Sequence, residues 1–129
     1  LGTNDLKHQF QLSAEAISRG AKVLIRMIKN PYLNEKYPVP KILLVSPIHL
    51  HEEIGELEGS WFDYGKEEYE KSTQLAKYLK DIADAYDCDF MDASKFAKAS
   101  SIDGMHMEKE DHAKLAQAIV NKINEIRDR

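Results

Sequence analysis

Cysteine is nearly absent from this sequence: Cys88 is the only one among 129 residues. A single thiol excludes an internal disulfide framework and any cysteine-rich metal centre. Its place near Phe90 in an apolar segment predicts a buried structural thiol. Long hydrophobic runs are also missing, and none approaches the roughly 20 residues that a membrane-spanning helix needs. Neither sign of charge dominates. The 18 basic and 22 acidic residues leave a net charge of −4, so there is no basic footprint for nucleic acid. Internal repeats, low-complexity tracts and a domain linker are lacking too. What is present, 43% hydrophobic and 31% charged residues, is the composition of a folded globular domain. Residues 1–129 read as a single domain.

Three helices are predicted. Ser13 is a good N-cap for a helix running to about Lys29, with Ile17, Ala21, Leu24 and Ile28 at helical spacing and Asn30-Pro31 as its stop. Lys66 to Tyr86 is the second, its stripe being Tyr69, Leu75, Leu79, Ile82 and Tyr86. Glu108 to Arg127 is the third, with Leu115, Ile119, Ile123 and Ile126 on one side.

Two strands are credible. The run Lys41 to Ser46, closed by Pro47, is apolar without alternation, as expected for a strand inside a parallel sheet covered on both faces. Cys88 to Met91 is the other. Pro31 to Pro40 reads as an extended connection, 48–65 as a long loop rich in His, Glu and aromatics, and 93–102 as a polar connection. The order helix–strand–helix–strand–helix is an α/β rhythm. Two strands cannot cover the faces of three amphipathic helices. The opening residues moreover read as a loop leaving a strand, so further strands are expected upstream of Leu1 and the domain is expected to be partial. The cellular compartment is not legible from these residues.

The chemistry resides in two short segments. Asp103-Gly104-Met105-His106 places a carboxylate three residues before an imidazole, across a turn that glycine eases. At that spacing the carboxylate can accept the Nδ1 proton, fix the tautomer and leave Nε2 to take a proton from a hydroxyl. Taken alone, such a pair is a common surface coincidence. Leu1-Gly2-Thr3-Asn4-Asp5 offers a side-chain amide on a tight turn, a suitable donor to a developing oxyanion. Alone it is equally a plain turn, because Gly, Asn and Asp favour turns.

Together, and in this order, the two segments resemble blocks of the SGNH subgroup of GDSL-type serine hydrolases. Leu1 to Lys7 is similar to the family's third block, whose Asn donates to the oxyanion hole, and Asp103 to His106 to the fifth, which supplies the Asp and His of the triad. The segment Pro38 to Pro47 resembles the arylesterase and acyltransferase branch, and Asp111-His112-Ala113-Lys114-Leu115-Ala116 fits the family's last helix.

The resemblance implies a three-layer α/β/α, flavodoxin-like SGNH hydrolase fold, of which this chain is the C-terminal part. It also implies Asp103 and His106 as catalytic residues, Asn4 in the oxyanion hole and Gly2 as support for its loop. The substrate would be a small acyl ester, with hydrolysis or acyl transfer as the reaction, and no cofactor or metal is implied. The family's first two blocks, with the nucleophilic serine and an oxyanion-hole glycine, are not in this sequence. Ser13 reads as a helix cap, Ser46 ends a strand, and Ser94, Ser100 and Ser101 lie in the connection before Asp103. The serine is thus expected upstream and the isolated chain inactive. Association with the missing N-terminal portion, or a homo-oligomer, is the expected partnership.

Weaker signals have plainer readings. His49, His51, Glu52 and Glu53 could be drawn as a metal site but have no positioned third ligand. Trp61 and Phe62 would either wall a pocket or bury in a contact between chains. His112 reads as a packed or capping residue, and Lys7 and His8 as groups that touch substrate or are solvated. The competing reading of the whole is a non-catalytic α/β binding or assembly module.

Overall fold

The computed structural model describes residues 1–32 and 38–129. Residues 33–37, half of the expected connection from Pro31 to Pro40, lie outside the described residues. Two successive 3-10 turns, Asn4–Leu6 and His8–Phe10, lead into helix α1, Ala14–Ile28. Strand β1 (Leu43–Ser46), helix α2 (Lys66–Ala85), strand β2 (Asp89–Asp92), a 3-10 turn at Ala93–Lys95 and helix α3 (Lys109–Arg127) follow.

The two strands pair in parallel, Leu43 opposite Asp89 through Ser46 opposite Asp92, with α2 as the crossover between them. The three predicted helices and both strands are present. Their ends follow local chemistry. The hydroxyl of Ser13 accepts from the N–H of Ala16 at 3.1 Å and starts α1. The side chain of Glu68 reaches back to the N–H of Gly65 at 2.9 Å and starts α2. At the far ends, Lys29 Nζ donates to the carbonyls of Tyr86 and Asp87, tying the last turn of α1 to that of α2.

Packing corrects the faces read from periodicity. On α1 the buried positions are Ala14, Ile17, Ser18, Ala21 and Ile25, whereas Leu24 and Ile28 are exposed. The helix is rolled so that its small residues let α2 approach. On α2 the buried stripe is Glu68, Ser72, Leu75, Leu79 and Ala83; Tyr69, Ile82 and Tyr86 lie on its flank. Two polar residues are tolerated there because they are satisfied. Ser72 Oγ donates to the carbonyl of Tyr69 at 2.6 Å and accepts from the N–H of Leu50 at 3.0 Å. The core is Leu6, Ile17, Ile25, Leu44, Leu75 and Leu79, closed by Leu50, Ile54 and Tyr64 from the 48–65 loop. That loop is therefore a packed cover rather than a free excursion.

Alternation along β1 turns Leu44 into this core and Leu43 and Val45 to the other face. There Leu43 shares a cleft with Ile123 and Ile126 of α3, and Val45 shares another with Leu115. Helices thus lie on both faces of a parallel sheet, the α/β/α layering expected. The α3 stripe is the least buried: Ile126 is buried, but Ile123 and Val120 are about half exposed at 51% and 50%. The thiol of Cys88 is half-buried, its Sγ 3.5 Å from the carbonyl of Tyr86, and burial pushes its pKa up. Among the described residues no helix is long and apolar enough to cross a membrane.

Candidate active site

Residues 100–108 form a knotted turn beyond β2. The carboxylate of Asp92, at the strand end, accepts from the N–H and hydroxyl of Ser94 and from Ser46 Oγ. The chain then reaches Ser100 through a connection that buries Ala97 and Ala99 and exposes Lys95, Phe96 and Lys98. Gly104 takes a φ of +77°, donates its N–H to the carbonyl of Ser100 at 2.9 Å and accepts from the N–H of His51 at 2.8 Å. A Cβ there would lie 3.0 Å from Ile54, so both backbone conformation and space select glycine.

This turn orients Asp103. One oxygen, Oδ1, accepts from the backbone N–H groups of Met105 and His106, both at 2.9 Å. The other, Oδ2, lies 2.5 Å from Nδ1 of His106. A carboxylate at that distance assigns the proton to Nδ1 and leaves the lone pair on Nε2. Burial raises the pKa of Asp103, but the hydrogen bonds from Met105 and His106 outweigh it and hold the carboxyl below its ordinary value. The His106 side chain is 66% exposed and lines a cleft of about 380 Å³.

Asn4 lines the same cleft from the opposite end of the sequence. It opens the 3-10 turn that follows Gly2, whose φ is +112° and whose α-carbon packs towards Ile17 and Leu75. The turn is held from outside as well. Tyr64 Oη donates to the carbonyl of Thr3 at 3.3 Å, and the N–H of His8 to the carbonyl of Asp63 at 2.9 Å. The Asn4 side chain is exposed and makes no hydrogen bond among the described residues. The cleft opens at the carboxyl ends of both strands, where Pro47 follows β1 and Ala93 follows β2, the usual ligand position in a parallel α/β sheet. Among the described residues Ser46 is the only serine of its lining, and it is fully buried with its hydroxyl turned to Asp92.

Other sequence-derived candidates sort differently. His51 is spent on the turn and on its own loop, where Nδ1 accepts from the N–H of Glu53 at 3.2 Å. Among the described residues the one His/acid group close enough to share a metal ion is instead His8, Glu67 and Glu68. Lys71 already lies 2.7 Å from Glu67 and 3.9 Å from Glu68, which makes it an ion-pair network. Lys7 pairs with Asp63 and stands over the Trp61 ring at 5.9 Å. Trp61 and Phe62 are exposed and do not line the His106 cleft. His112, expected to be packed or capping, is exposed and lines that cleft.

Gly59 and Glu68 are not singled out by sequence reasoning. The N–H of Gly59 donates to the carbonyl of Ile102 at 3.2 Å, and a Cβ at Gly59 would sit 2.5 Å from that oxygen. Glu68 is buried between Gly65 and His8. The Gly59–Ile102 and Glu68–His8 contacts join segments far apart in the chain, and no spacing rule reveals them.

The fold and site define a class: an α/β/α domain with a carboxylate–imidazole pair and a free amide around one cleft at the carboxyl edge of its sheet. No protein-family model and no curated protein sequence matches the chain. Solved structures do. One crystal structure is 35% identical and superposes with a TM-score of 0.89 over 98% of this chain and 56% of its own. A carbohydrate acetylesterase from Sinorhizobium meliloti is 31% identical, with a TM-score of 0.84 over 98% of this chain and 58% of its own. The native aryl esterase of M. smegmatis is 27% identical, with a TM-score of 0.84 over 97% and 58%. Over the part it spans, the chain has the SGNH-type hydrolase fold of these arylesterases and carbohydrate acetylesterases. It covers little more than half of their length.

Proposed function

We propose that this chain is the acid–base and oxyanion portion of a serine ester hydrolase that acts on small acyl esters. One observation carries the reading: a correctly oriented Asp103–His106 pair faces a cleft that Asn4 also lines. The likeness to structures described as esterases supports it.

The geometry supports the following roles. A serine hydroxyl attacks the ester carbonyl while Nε2 of His106 removes its proton, and Asp103 stabilises the imidazolium that forms. The amide of Asn4 donates to the oxyanion. His106 then returns the proton to the departing alcohol, and water, or a second alcohol in acyl transfer, releases the acyl group from the serine. In this reading the nucleophile comes from polypeptide outside these 129 residues, because the one serine lining the cleft is buried and engaged with Asp92. The half-exposed apolar residues of α3 and the outer face of β1 are the surface on which that polypeptide would pack, and which would otherwise promote self-association.

Reaction with a fluorophosphonate probe tests this. A longer chain that contains the upstream serine should label covalently, and the 129-residue chain should not. A folded longer chain with intact Asn4 and His106 that never labels would sink the hydrolase reading.

A further inference from the structure

Ser100 lies outside the carboxylate–imidazole pair, yet all its polar groups are committed to the segment that carries it. Its N–H donates to the carbonyl of His106 at 2.7 Å, and its carbonyl accepts from the N–H of Gly104. Its hydroxyl accepts from the N–H of Ile102 at 3.0 Å and donates to the carboxylate of Glu108. Ser100 is buried, at 7% exposure, directly beneath the turn.

Glu108 is the N-cap residue of α3, but its side chain makes no capping hydrogen bond. It reaches to Ser100 instead. A charged acceptor makes this the stronger kind of hydrogen bond, and it joins the start of the dyad turn to the N-cap residue of the following helix. Residues 100–108 are thereby closed into a loop, with Asp103 and His106 inside it.

We propose that Ser100 is a positioning residue for the Asp103–His106 pair and that Glu108 is its anchor. Its catalytic meaning rests on the hydrolase reading above, but its structural content does not. The distance from Asp103 Oδ2 to His106 Nδ1 depends on where the Asp103 backbone sits relative to that of His106. Ser100 sets both, through Ile102 and Gly104 on one side and the His106 carbonyl on the other. Replacing the hydroxyl by hydrogen leaves the Ile102 N–H and the Glu108 carboxylate without their partner. The two backbone hydrogen bonds of Ser100 remain, so the turn should loosen rather than unfold.

The test is the tautomer of His106 in the 129-residue chain, read from a long-range proton–nitrogen-15 correlation spectrum at alkaline pH, where imidazoles are neutral. The wild-type chain should show the Nδ1–H form. Ser100→Ala and Glu108→Ala should each lower the population of that form several-fold, and Ser100→Thr, which keeps the hydroxyl, should retain it. Should Ser100→Ala fail to fold, the exposed Glu108 provides the decisive variant. A folded Ser100→Ala or Glu108→Ala with the wild-type tautomer population overturns the proposal alone. An Nε2–H tautomer in the wild-type chain overturns both this proposal and the dyad on which the proposed function depends. Absence of fluorophosphonate labelling in the longer chain, with the tautomer result intact, removes only the hydrolase reading.

Discussion

Oδ2 of Asp103 lies 2.5 Å from Nδ1 of His106, while Oδ1 of the same carboxylate is held by two backbone N–H groups. The backbone hydrogen bonds aim the carboxylate before it meets the ring, so the imidazole has little freedom to choose another tautomer. His106→Ala in the complete enzyme should lower ester turnover by on the order of 10⁶ and leave the fold intact, because the ring is mostly exposed. Steady-state turnover of a small ester checks this, and near-normal activity would remove the dyad assignment.

Asn4 acts, in the proposed reaction, only on charge that develops in the transition state. Asn4→Ala should therefore reduce kcat by about 10²–10³ with little change in KM. A change confined to KM would assign Asn4 to substrate binding instead.

The depressed Asp103 carboxyl makes a pH prediction whose sign is fixed. Its folded pKa lies below the unfolded value of about 3.9. Its contribution to stability is thus fully present above that value and is lost as pH falls through the folded pKa. Denaturant unfolding of wild type and Asp103→Asn at neutral and acid pH should show the difference between them shrinking below about pH 4. A difference that grows on acidification would contradict the observed hydrogen bonding.

Gly59 meets the dyad turn back to back. Gly59→Ala would drive a methyl group into the carbonyl oxygen of Ile102, 2.5 Å away, and separate the 48–65 loop from the turn. The expected cost is about 1–3 kcal/mol, read as a lower unfolding midpoint. A Gly59→Ala chain as stable as wild type would show that the loop yields freely and does not brace the turn.

Val120 and Ile123 leave apolar area on α3 open, Ile123 beside Leu43 of β1. The purified 129-residue chain should self-associate through this face, and Ile123→Lys should shift it towards monomer in sedimentation velocity. A monodisperse wild-type monomer would contradict the idea that this face seeks a cover.

Much of the fold was legible because it is local. Ser13 as a cap, Asn30-Pro31 as a stop and Pro47 at the end of an apolar run are written in neighbouring residues, and the helices and strands lie where those signals put them. The Asp103–His106 pairing was legible for the same reason: three residues across a glycine turn bring the two groups together. The faces of α1 and α2 were not, since periodicity locates a stripe only to within about one residue's rotation. Which of Leu24 and Ile25 is buried depended on the helix packed against α1.

The sequence by itself determined the three helices, a parallel strand read over Lys41 to Ser46 and the local chemistry of the Asp103–His106 turn. Only the tertiary structure decided that Asn4 and His106 share one cleft and that His51 and Gly59 brace the turn that carries Asp103. It alone also decided that Glu68 is buried rather than solvated. These are contacts between segments far apart in the chain. Their formation depends on how helices and loops settle on the sheet, and no residue spacing encodes that.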